Sequence, residues 1–354
     1  MSAAALGSRQ DLVEVDPRDD PRWAAWIAGG RGSLFSSPPW LRAVCRTYGF
    51  TAHARLLLAS GAVDGAVEGG VAWVPVDDVR GPRRVSLPFS DRADPLPRDP
   101  AVLARLLADR PDDAPWTLRL LEPDGPFLPP GGEVTGRAAW HATTIDADDD
   151  TLSARLHPTA RRNIRVAARR GVHVRRGTSA ADLHTLHALH VQRRRERYGM
   201  LAPPVDLFDE LAAEFDPDDT MTVLLAEVDG QAVAGALFLE WDGVLYYKFG
   251  ASRAGALPLR PNDALFWAGL RHAVDRGLGA LDWGVSDLDQ PGLVGFKRKW
   301  ADDERHVTAL RLGPPSSSVP VDRLLGAVTA LLTDPLVPDE LTARAGRELY
   351  RYFC

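Results

Sequence analysis

The second half of the chain carries three consecutive strand signals joined by two Asp-Gly pairs, and this pattern constrains the fold more than any other. The apolar runs cover 221–228, 232–240 and 244–251, with Asp229-Gly230 and Asp242-Gly243 between them. Asp-Gly between two such runs is a strong hairpin signal, because both central residues of the tight turn need a positive φ. The sequence therefore predicts an antiparallel meander of three strands.

Helices and strands flank this meander in an order that the apolar periodicity indicates. Three of the predicted helices are followed by a glycine, namely Gly171, Gly199 and Gly277. Helices commonly end with a glycine in the left-handed conformation. Before the meander we predict helices over 158–170, 180–198 and 205–215. After it we predict helix 261–276, strand 280–283, helix 292–300 and strand 307–312. The first half contains a looser version of the same elements.

Length and an acidic stretch predict two domains. A chain of 354 residues is long for one core, and the acidic run at 146–150 marks a boundary. We expect an α/β (α+β) protein with domains at 1–150 and 151–313. Each would be a mixed, mainly antiparallel sheet flanked by helices, and the helices of 314–354 would join the first domain.

Composition argues against several classes of protein. No apolar run approaches the roughly 18 residues of a membrane span, and the first 20 residues lack the pattern of a signal peptide. The two cysteines, Cys45 and Cys354, form neither a disulfide framework nor a metal-ligand spacing. His184, His187 and His190 share a predicted helix without acids or cysteines at ligand spacing, so we expect no metal. We expect a cytoplasmic protein without a membrane span.

Positive charge is concentrated in one segment. Net charge is −6, yet the segment 155–197 holds twelve arginines and only two acids, Asp182 and Glu196. A basic segment in an acidic protein predicts a localised anion site. Two solvated helix faces are the alternative, and composition does not choose between a diphosphate, a nucleic-acid backbone and no ligand. We place Arg162 and Arg165 among the substrate-binding residues.

Lysine is rare in this chain, and two lysines share one pentapeptide. Only three of the 42 Lys and Arg residues are lysine, and Lys297 and Lys299 lie within 296–300. A lysine ammonium is a compact charge whose pKa responds to burial, whereas a guanidinium stays charged. Lys297 lies between Phe296 and Trp300, which could exclude water from it. The alternative is chance plus a solvated helix face.

Five segments of the second half together resemble one known family. They read RNIRVAARRGV at 162–172, RYG at 197–199, YYKFGAS at 246–252, the helix 262–276, and LDWG at 281–284 leading to GLVGFKRKW at 292–300. In this order they resemble the Fem family of peptidyltransferases and the FemAB-like branch of the GNAT acyltransferases, over about residues 155–312. LFSSPPWL at 34–41, which contains Trp40, resembles the family's opening helix more weakly.

The resemblance implies tandem GNAT-like domains with a groove between them. It also implies transfer of an aminoacyl group from aminoacyl-tRNA to an amine of a peptidoglycan precursor, a small molecule or a peptide, forming an amide. We expect aminoacyl-tRNA and the amine acceptor as partners. We expect no tightly bound cofactor and no DNA.

The resemblance also assigns roles to residues. The family's Phe-Lys pair corresponds to Phe296 and Lys297, its nucleotide-diphosphate arginine to Arg197 and its strand tyrosine to Tyr247. An acid of the first domain corresponds to Asp91. We add Trp40 to the substrate-binding residues.

One departure concerns the acceptor. A basic residue expected after Trp40 is replaced by Val44, unless Arg42 serves, which puts UDP-linked acceptors in doubt.

The chemistry of acyl transfer agrees with these roles. Attack of an amine on an ester passes through an oxyanion, which a positioned cation such as Lys297 stabilises in a dry cleft. The amine must be neutral, and Asp91 or Asp282 could take its proton. Alternatives stay open: Asp282 could brace a turn, Asp91 could start one and Tyr247 could be a core residue. Arg197 could serve only the dipole of a helix C-terminus.

Two other functions remain open. The loop 252–262 lacks the glycine spacing of a CoA-pyrophosphate loop, and Pro258 and Pro261 remove backbone donors from it. This argues against, but does not exclude, an acyl-CoA-dependent GNAT N-acyltransferase. A non-catalytic GNAT-like binding module is the second alternative.

Overall fold

Strands and helices follow the apolar pattern in a computed structural model that describes residues 12–29, 32–59, 66–93, 99–108, 113–122, 131–314 and 319–354. Twelve strands lie within these residues. They are β1 Leu12–Val15, β2 His53–Leu58, β3 Val67–Asp78, β4 Gly81–Ser86, β5 Trp116–Leu121, β6 Gly132–Thr144, β7 His173–Gly177, β8 Met221–Val228, β9 Gln231–Trp241, β10 Val244–Ser252, β11 Ala280–Asp287 and β12 Asp303–Leu312.

Eleven α-helices accompany the strands in the same described ranges. They are α1 Pro21–Ile27, α2 Pro38–Tyr48, α3 Pro100–Leu107, α4 Asp149–Arg155, α5 Pro158–Arg169, α6 Ala180–Arg193, α7 Val205–Phe215, α8 Pro261–Asp275, α9 Pro291–Lys297, α10 Val319–Leu332 and α11 Asp339–Leu349. Local chemistry sets their ends: the Ser37 side chain caps α2, Pro38 fills its first turn, and Gly49 ends it at φ +68°.

The chain divides into two compact units. The first contains residues 1–136 and 307–316, and the second contains 137–306 and 317–354. The predicted boundary at 150 therefore lies about one strand too late. The prediction that the C-terminal helices join the first domain is wrong, because α10 and α11 belong to the second unit. Residues 315–318, between β12 and α10, lie outside the described residues.

The first unit is a mixed sheet in the order β1-β2-β3-β4-β5-β12. Its pairs are antiparallel except β4 with β5, which are parallel. The core packs α3 against this sheet, with Leu103 and Leu106 facing Trp73 and Trp116. The two indoles meet edge to face with centroids 5.1 Å apart. Burial of such large rings is the main stabilising contribution in this unit.

The second unit is a mixed sheet in the order β6-β11-β10-β9-β8-β7. The predicted meander is confirmed as β8, β9 and β10, with Asp229 and Asp242 at positive φ in the two turns. Only β10 and β11 run parallel. Helices α5 and α8 contribute to the core over this sheet, which includes Phe238, Trp283 and Trp300. This core positions the ends of β10 and β11.

We expect Gly269→Ala to destabilise the protein by about 1–3 kcal/mol, because a Cβ there would lie 2.6 Å from Phe238 Cζ in a packed core. Urea unfolding measures the change. Gly326→Ala on α10 is the matched control: its Cβ would meet open space, and alanine favours a helix by up to about 1 kcal/mol. Equal unfolding midpoints for the two variants would contradict this packing.

Candidate active site

Strands β10 and β11 pair over only three residues. The pairs are Val244 with Ala280, Leu245 with Leu281 and Tyr246 with Asp282. Directly after them, the register of β10 shifts between Tyr247 and Phe249, and that of β11 shifts between Asp282 and Val285. Bulges bend strands and re-aim side chains. The carboxyl ends of the two parallel strands are thus separate, and the candidate site lies beside them.

The bulge of β11 has a simple geometry. Asp282 pairs with Ala142 and Val285 pairs with Trp140, so two residues, Trp283 and Gly284, lie opposite the single residue His141. Gly284 has a φ of +69°, which glycine adopts without a steric penalty.

The carboxylate of Asp282 braces this bulge. It accepts the Gly284 amide at 2.7 Å and the indole N–H of Trp140 at 3.0 Å on each oxygen. Its side chain is buried. This geometry matches the bracing role that the sequence left open, and the role of Asp282 as a base stays a prediction.

Lys297 ends helix α9 and is buried, with 4% of the residue exposed. Its Nζ donates to the carbonyl oxygen of Val285 at 2.8 Å. The ammonium therefore reaches the end of the β11 bulge, and it is not a solvated surface charge. A buried ammonium requires polar partners, since desolvation of a charge is costly.

Aromatic rings connect the neighbours of Lys297 with Tyr247. Phe296 meets Phe266 with centroids 4.9 Å apart, Phe266 stacks on Trp283 at 4.2 Å, and Tyr247 meets Phe266 at 5.0 Å. Trp300, also in this cluster, lies 5.6 Å from Phe266. The structure thus brings Lys297, Phe296, Tyr247 and Asp282 to one region of the second unit.

Tyr247 folds back over its own strand. Its hydroxyl lies where a Cβ on Gly250 would overlap it, so this arrangement requires glycine at that position. Burial, and to a lesser degree Tyr198, raises the pKa of the Tyr247 hydroxyl above its usual range, which keeps the phenol neutral. Tyr247 is half-buried and packs on core rings. Both a core role and a substrate contact remain compatible with this position.

Arg197 lies in a π-helical turn, Arg194–Tyr198, that follows α6 and ends at Gly199 with a φ of +57°. Its side chain is exposed. Single-turn π-helices are rare and frequently occur at functional sites.

Arg162 and Arg165 lie on the exposed face of α5, together with Arg169. Asn163 points inward instead and donates to Asp263 on α8 at 3.2 Å. One buried amide therefore fixes which face of α5 presents arginine to solvent.

Trp40 and Asp91 belong to the first unit. Trp40 is fully buried, packs edge-on against Phe35 and donates from its indole N–H to Ser90 Oγ at 3.1 Å. This gives Trp40 a core role, and a substrate contact stays a prediction. Asp91 follows Ser90 and is half-buried. Arg42 donates to the Arg18 carbonyl at 2.9 Å.

A buried imidazole that acts electrostatically on Lys297 was not predicted from the sequence. His141 is fully buried, and its Nε2 lies 3.3 Å from Glu304 Oε2. Arg298 holds the same carboxylate through bonds of 2.6 and 2.5 Å. Burial lowers the pKa of His141, Glu304 opposes this, and the charges of Lys297 and Arg298 reinforce it. Every residue of β6 near His141 is buried, so no alternation marks it.

A surface cavity of about 660 Å³ opens elsewhere in the second unit. It is lined by Glu196 after α6, by Val228 and Gln231 of the β8–β9 hairpin, and by Arg253 and Gly255 after β10. In the parts of the chain that the structure describes, no three His, Cys, Asp or Glu side chains form a group that could hold a metal ion. No helix among those residues is long and apolar enough to cross a membrane.

Acidification should destabilise the fold through His190. Burial on α6, beside Phe208 and Phe249, lowers the pKa of this imidazole to about 3, with smaller effects from Arg194 and His187. The unfolded chain binds the proton below about pH 6.5 and the native chain does not, so stability falls as pH drops. We expect His190 to account for about 2 kcal/mol of stability lost between pH 7 and 5.

Urea unfolding at both pH values tests this. His190→Leu should flatten the pH dependence, whereas the same change at His173, exposed on β7, should leave it as in wild type. Parallel pH curves for wild type and His190→Leu would contradict the assignment.

Comparison with known proteins finds similarity over the segment that holds this site. Residues 154–298 match the family model described as Acetyltransferase (GNAT) domain. Over 153 residues the chain is 29% identical to a UDP-N-acetylmuramoylpentapeptide-lysine N(6)-alanyltransferase of Weissella viridescens. These matches support the resemblance to the Fem-like branch of the GNAT acyltransferases. This match covers 42% of the chain and 44% of the relative, so the chain spans less than half of that protein.

Solved structures show that the similarity in fold covers most of the chain. The crystal structure of FemX superposes with a TM-score of 0.62 at 16% identity, over 89% of this chain and 99% of that chain. L-PGS from Bacillus licheniformis gives a TM-score of 0.51 at 14% identity, over 89% and 97%. The predicted fold class of tandem GNAT-like domains is confirmed. The predicted groove between the domains stays a prediction.

Proposed function

We propose that this protein is a Fem-like aminoacyltransferase. It would move an aminoacyl group from aminoacyl-tRNA to an amine of a peptidoglycan precursor, a small molecule or a peptide, and form an amide. The observation that carries the proposal is the buried ammonium of Lys297 at the β11 bulge. The GNAT domain and the similarity to an alanyltransferase of cell-wall precursors support the reaction class.

Lys297 would act on the ester carbonyl of the donor. When the amine attacks, the carbonyl oxygen becomes an oxyanion, and a cation fixed in a poorly hydrated site stabilises it without reorganisation. The hydrogen bond to Val285 fixes the ammonium, and burial of Lys297 limits its access to water. An arginine would present a wider, flatter cation that does not fit the same position.

The attacking amine must lose a proton, and the leaving hydroxyl of the ester must gain one. Asp91 and Asp282 are the acids that we predicted for this step. Asp282 already accepts hydrogen bonds from two donors, the Trp140 indole and the Gly284 amide, and these occupy its oxygens at the bulge. Asp91, in the first unit, stays the other predicted acid.

Two features favour RNA as the donor. Arg162, Arg165 and Arg169 lie on the exposed face of α5, and guanidinium groups bind phosphate oxygens in a bidentate manner. In the β10–α8 loop, Pro258 and Pro261 remove amide donors that a pyrophosphate would need. Arg197, exposed in its π-turn, would hold a phosphate of either substrate. We propose a cytoplasmic location, where charged tRNA is available.

An acyl-CoA-dependent N-acyltransferase is the second candidate. The observation that favours it is the cavity of about 660 Å³, which lies against Arg253 and Gly255 at the start of the β10–α8 loop. A cavity of this size is within the range of small-molecule sites.

A donor assay separates the two functions. Purified protein is given alanyl-tRNA or acetyl-CoA, with UDP-N-acetylmuramoyl-pentapeptide and simple diamines as acceptors. The proposal expects deacylation of tRNA that depends on the acceptor, together with an amide product detected by mass spectrometry. Thiol release from acetyl-CoA without use of alanyl-tRNA would favour the second candidate. Turnover with neither donor across these acceptors would argue for a binding module.

Lys297→Ala should lower kcat by about 10²- to 10³-fold, which is the usual effect of removing one donor to an oxyanion. Lys299→Ala is the matched control, since Lys299 lies in the same pentapeptide and is only half-buried; its kcat should stay near wild type. Lys297→Met keeps the length of the side chain and should be as impaired as Lys297→Ala. Thermal unfolding of all variants checks the fold. Wild-type kcat in Lys297→Met would refute the proposed role.

A further inference from the structure

The two C-terminal helices lie against the segment that presents Arg197. Helices α10 and α11, together with the residues that join them, are called the C-terminal clamp (319–349). The segment that they contact runs from Arg194 through the π-turn to Asp206 and is called the Arg197 segment. All of these residues belong to the second unit.

Arg195 connects the Arg197 segment to the clamp. Its guanidinium donates to the Val337 carbonyl at 2.8 Å and pairs with Asp339 at 2.6 Å, at the start of α11. The side chain is only 14% exposed. Asp339 is 58% exposed, so water screens this ion pair in part, and the hydrogen bond to the Val337 carbonyl adds a second point of attachment for the turn.

Arg194 is held as well, on the same turn. Its Nε donates to the Leu201 carbonyl at 2.6 Å, and its guanidinium lies 5.7 Å from the ring centre of Tyr350, directly after α11. Thr333, at the end of α10, lies close to Gly199, where a Cβ would be 3.9 Å from its hydroxyl. The start of the turn therefore lies beside Tyr350, directly after the clamp, and its end lies beside Thr333 of the clamp.

Gly346 sets how closely α11 approaches. A Cβ at this position would overlap the carbonyl oxygen of Ala202, so the helix reaches its place only with glycine there. One turn further along the segment, Arg347 pairs with Asp206 at 2.8 Å. The clamp thus contacts the Arg197 segment at several points along its length.

Arg197 itself is exposed, and it has no hydrogen bond or ion pair with any residue that the structure describes. Its neighbours Arg194 and Arg195 are both held by carbonyl oxygens. The chain thus fixes the backbone of the turn and leaves one guanidinium unpaired at its outer side. Because the backbone of the turn is already held, Arg197 loses less conformational entropy on binding an anion than it would on a mobile turn.

We propose that the C-terminal clamp is a positioning element that holds Arg197 ready for a phosphate group of a substrate. This inference rests on the proposed function for the identity of the substrate. The phosphate could belong to the RNA donor or to a nucleoside diphosphate on the acceptor. Arg197 would contact it directly, and α11 would act only through the turn.

Gly346→Ala tests the clamp, with Gly326→Ala as the matched control, because the latter makes the same change on α10 in open space. Trypsin cleavage after Arg194, Arg195 and Arg197, followed by mass spectrometry, reports whether the turn is held. We expect cleavage about tenfold faster in Gly346→Ala, and unchanged in Gly326→Ala, since local opening governs proteolysis.

Calorimetry with uridine diphosphate and with uncharged tRNA, in separate arms, reports binding. The ligand that Arg197 contacts should bind about five- to tenfold more weakly to Gly346→Ala, and equally weakly to Arg197→Ala. In the double variant the two losses should not add, because both act through one side chain. Asp339→Asn changes an exposed side chain. It should also make cleavage faster and binding weaker, each by a smaller factor than Gly346→Ala does. If Gly346→Ala does not fold, the result for Asp339→Asn tests the clamp instead.

Several results would overturn the inference. One is equal cleavage in the two glycine variants; another is faster cleavage with unchanged affinity for both ligands. Losses that add in the double variant would show that the clamp does not act through Arg197. Binding of neither ligand by wild type would leave Arg197 without a phosphate to hold. Failure of aminoacyl transfer with these binding results intact would refute only the proposed function.

Discussion

The hydrogen bond from the Lys297 ammonium to the Val285 carbonyl is the interaction on which the candidate site depends. It joins the short helix α9 to β11 where the bulge ends. A bulge leaves backbone groups without ladder partners. Asp282 accepts the amide of Gly284, and Lys297 donates to the carbonyl of Val285. The same irregularity that separates β11 from β10 therefore also fixes the lysine.

Several ionisable groups lie around this site, of which His141 and Lys297 are buried. His141 and Glu304 lie on one side of Lys297, and Arg298 neutralises the carboxylate. Burial keeps both His141 and His190 neutral. A neutral imidazole beside an ammonium avoids a second buried positive charge. Two buried positive charges would cost more free energy than one.

An aromatic core stabilises the second unit, and polar contacts and ion pairs hold its outer helices in place. Rings of Phe266, Trp283 and Trp300 fill the space over the sheet. Outside this core, the C-terminal helices are attached through Arg195 and Arg347 and through the close approach at Gly346. Apolar burial sets the overall stability, whereas these polar contacts set the position of one turn.

Local chemistry made much of the fold predictable. The Asp-Gly pairs gave the meander, because few residues other than Gly, Asn and Asp enter positive φ readily. The helix ends at Gly171 and Gly199 followed from the same rule. The domain boundary was missed because β6 and β12 each contribute to both units. Long-range pairing of this kind leaves no local pattern.

The scarcity of lysine and the aromatic neighbours of Lys297 identified that residue from the sequence, and the order of motifs indicated a Fem-like GNAT domain. Only the tertiary structure decided that Asp282 braces a bulge, that Trp40 is core, and that His141 lies beside the ammonium. The physical reason is that a sequence pattern records which way a side chain faces within its own element. Which groups meet across elements depends on packing between strands and helices that are distant in the chain.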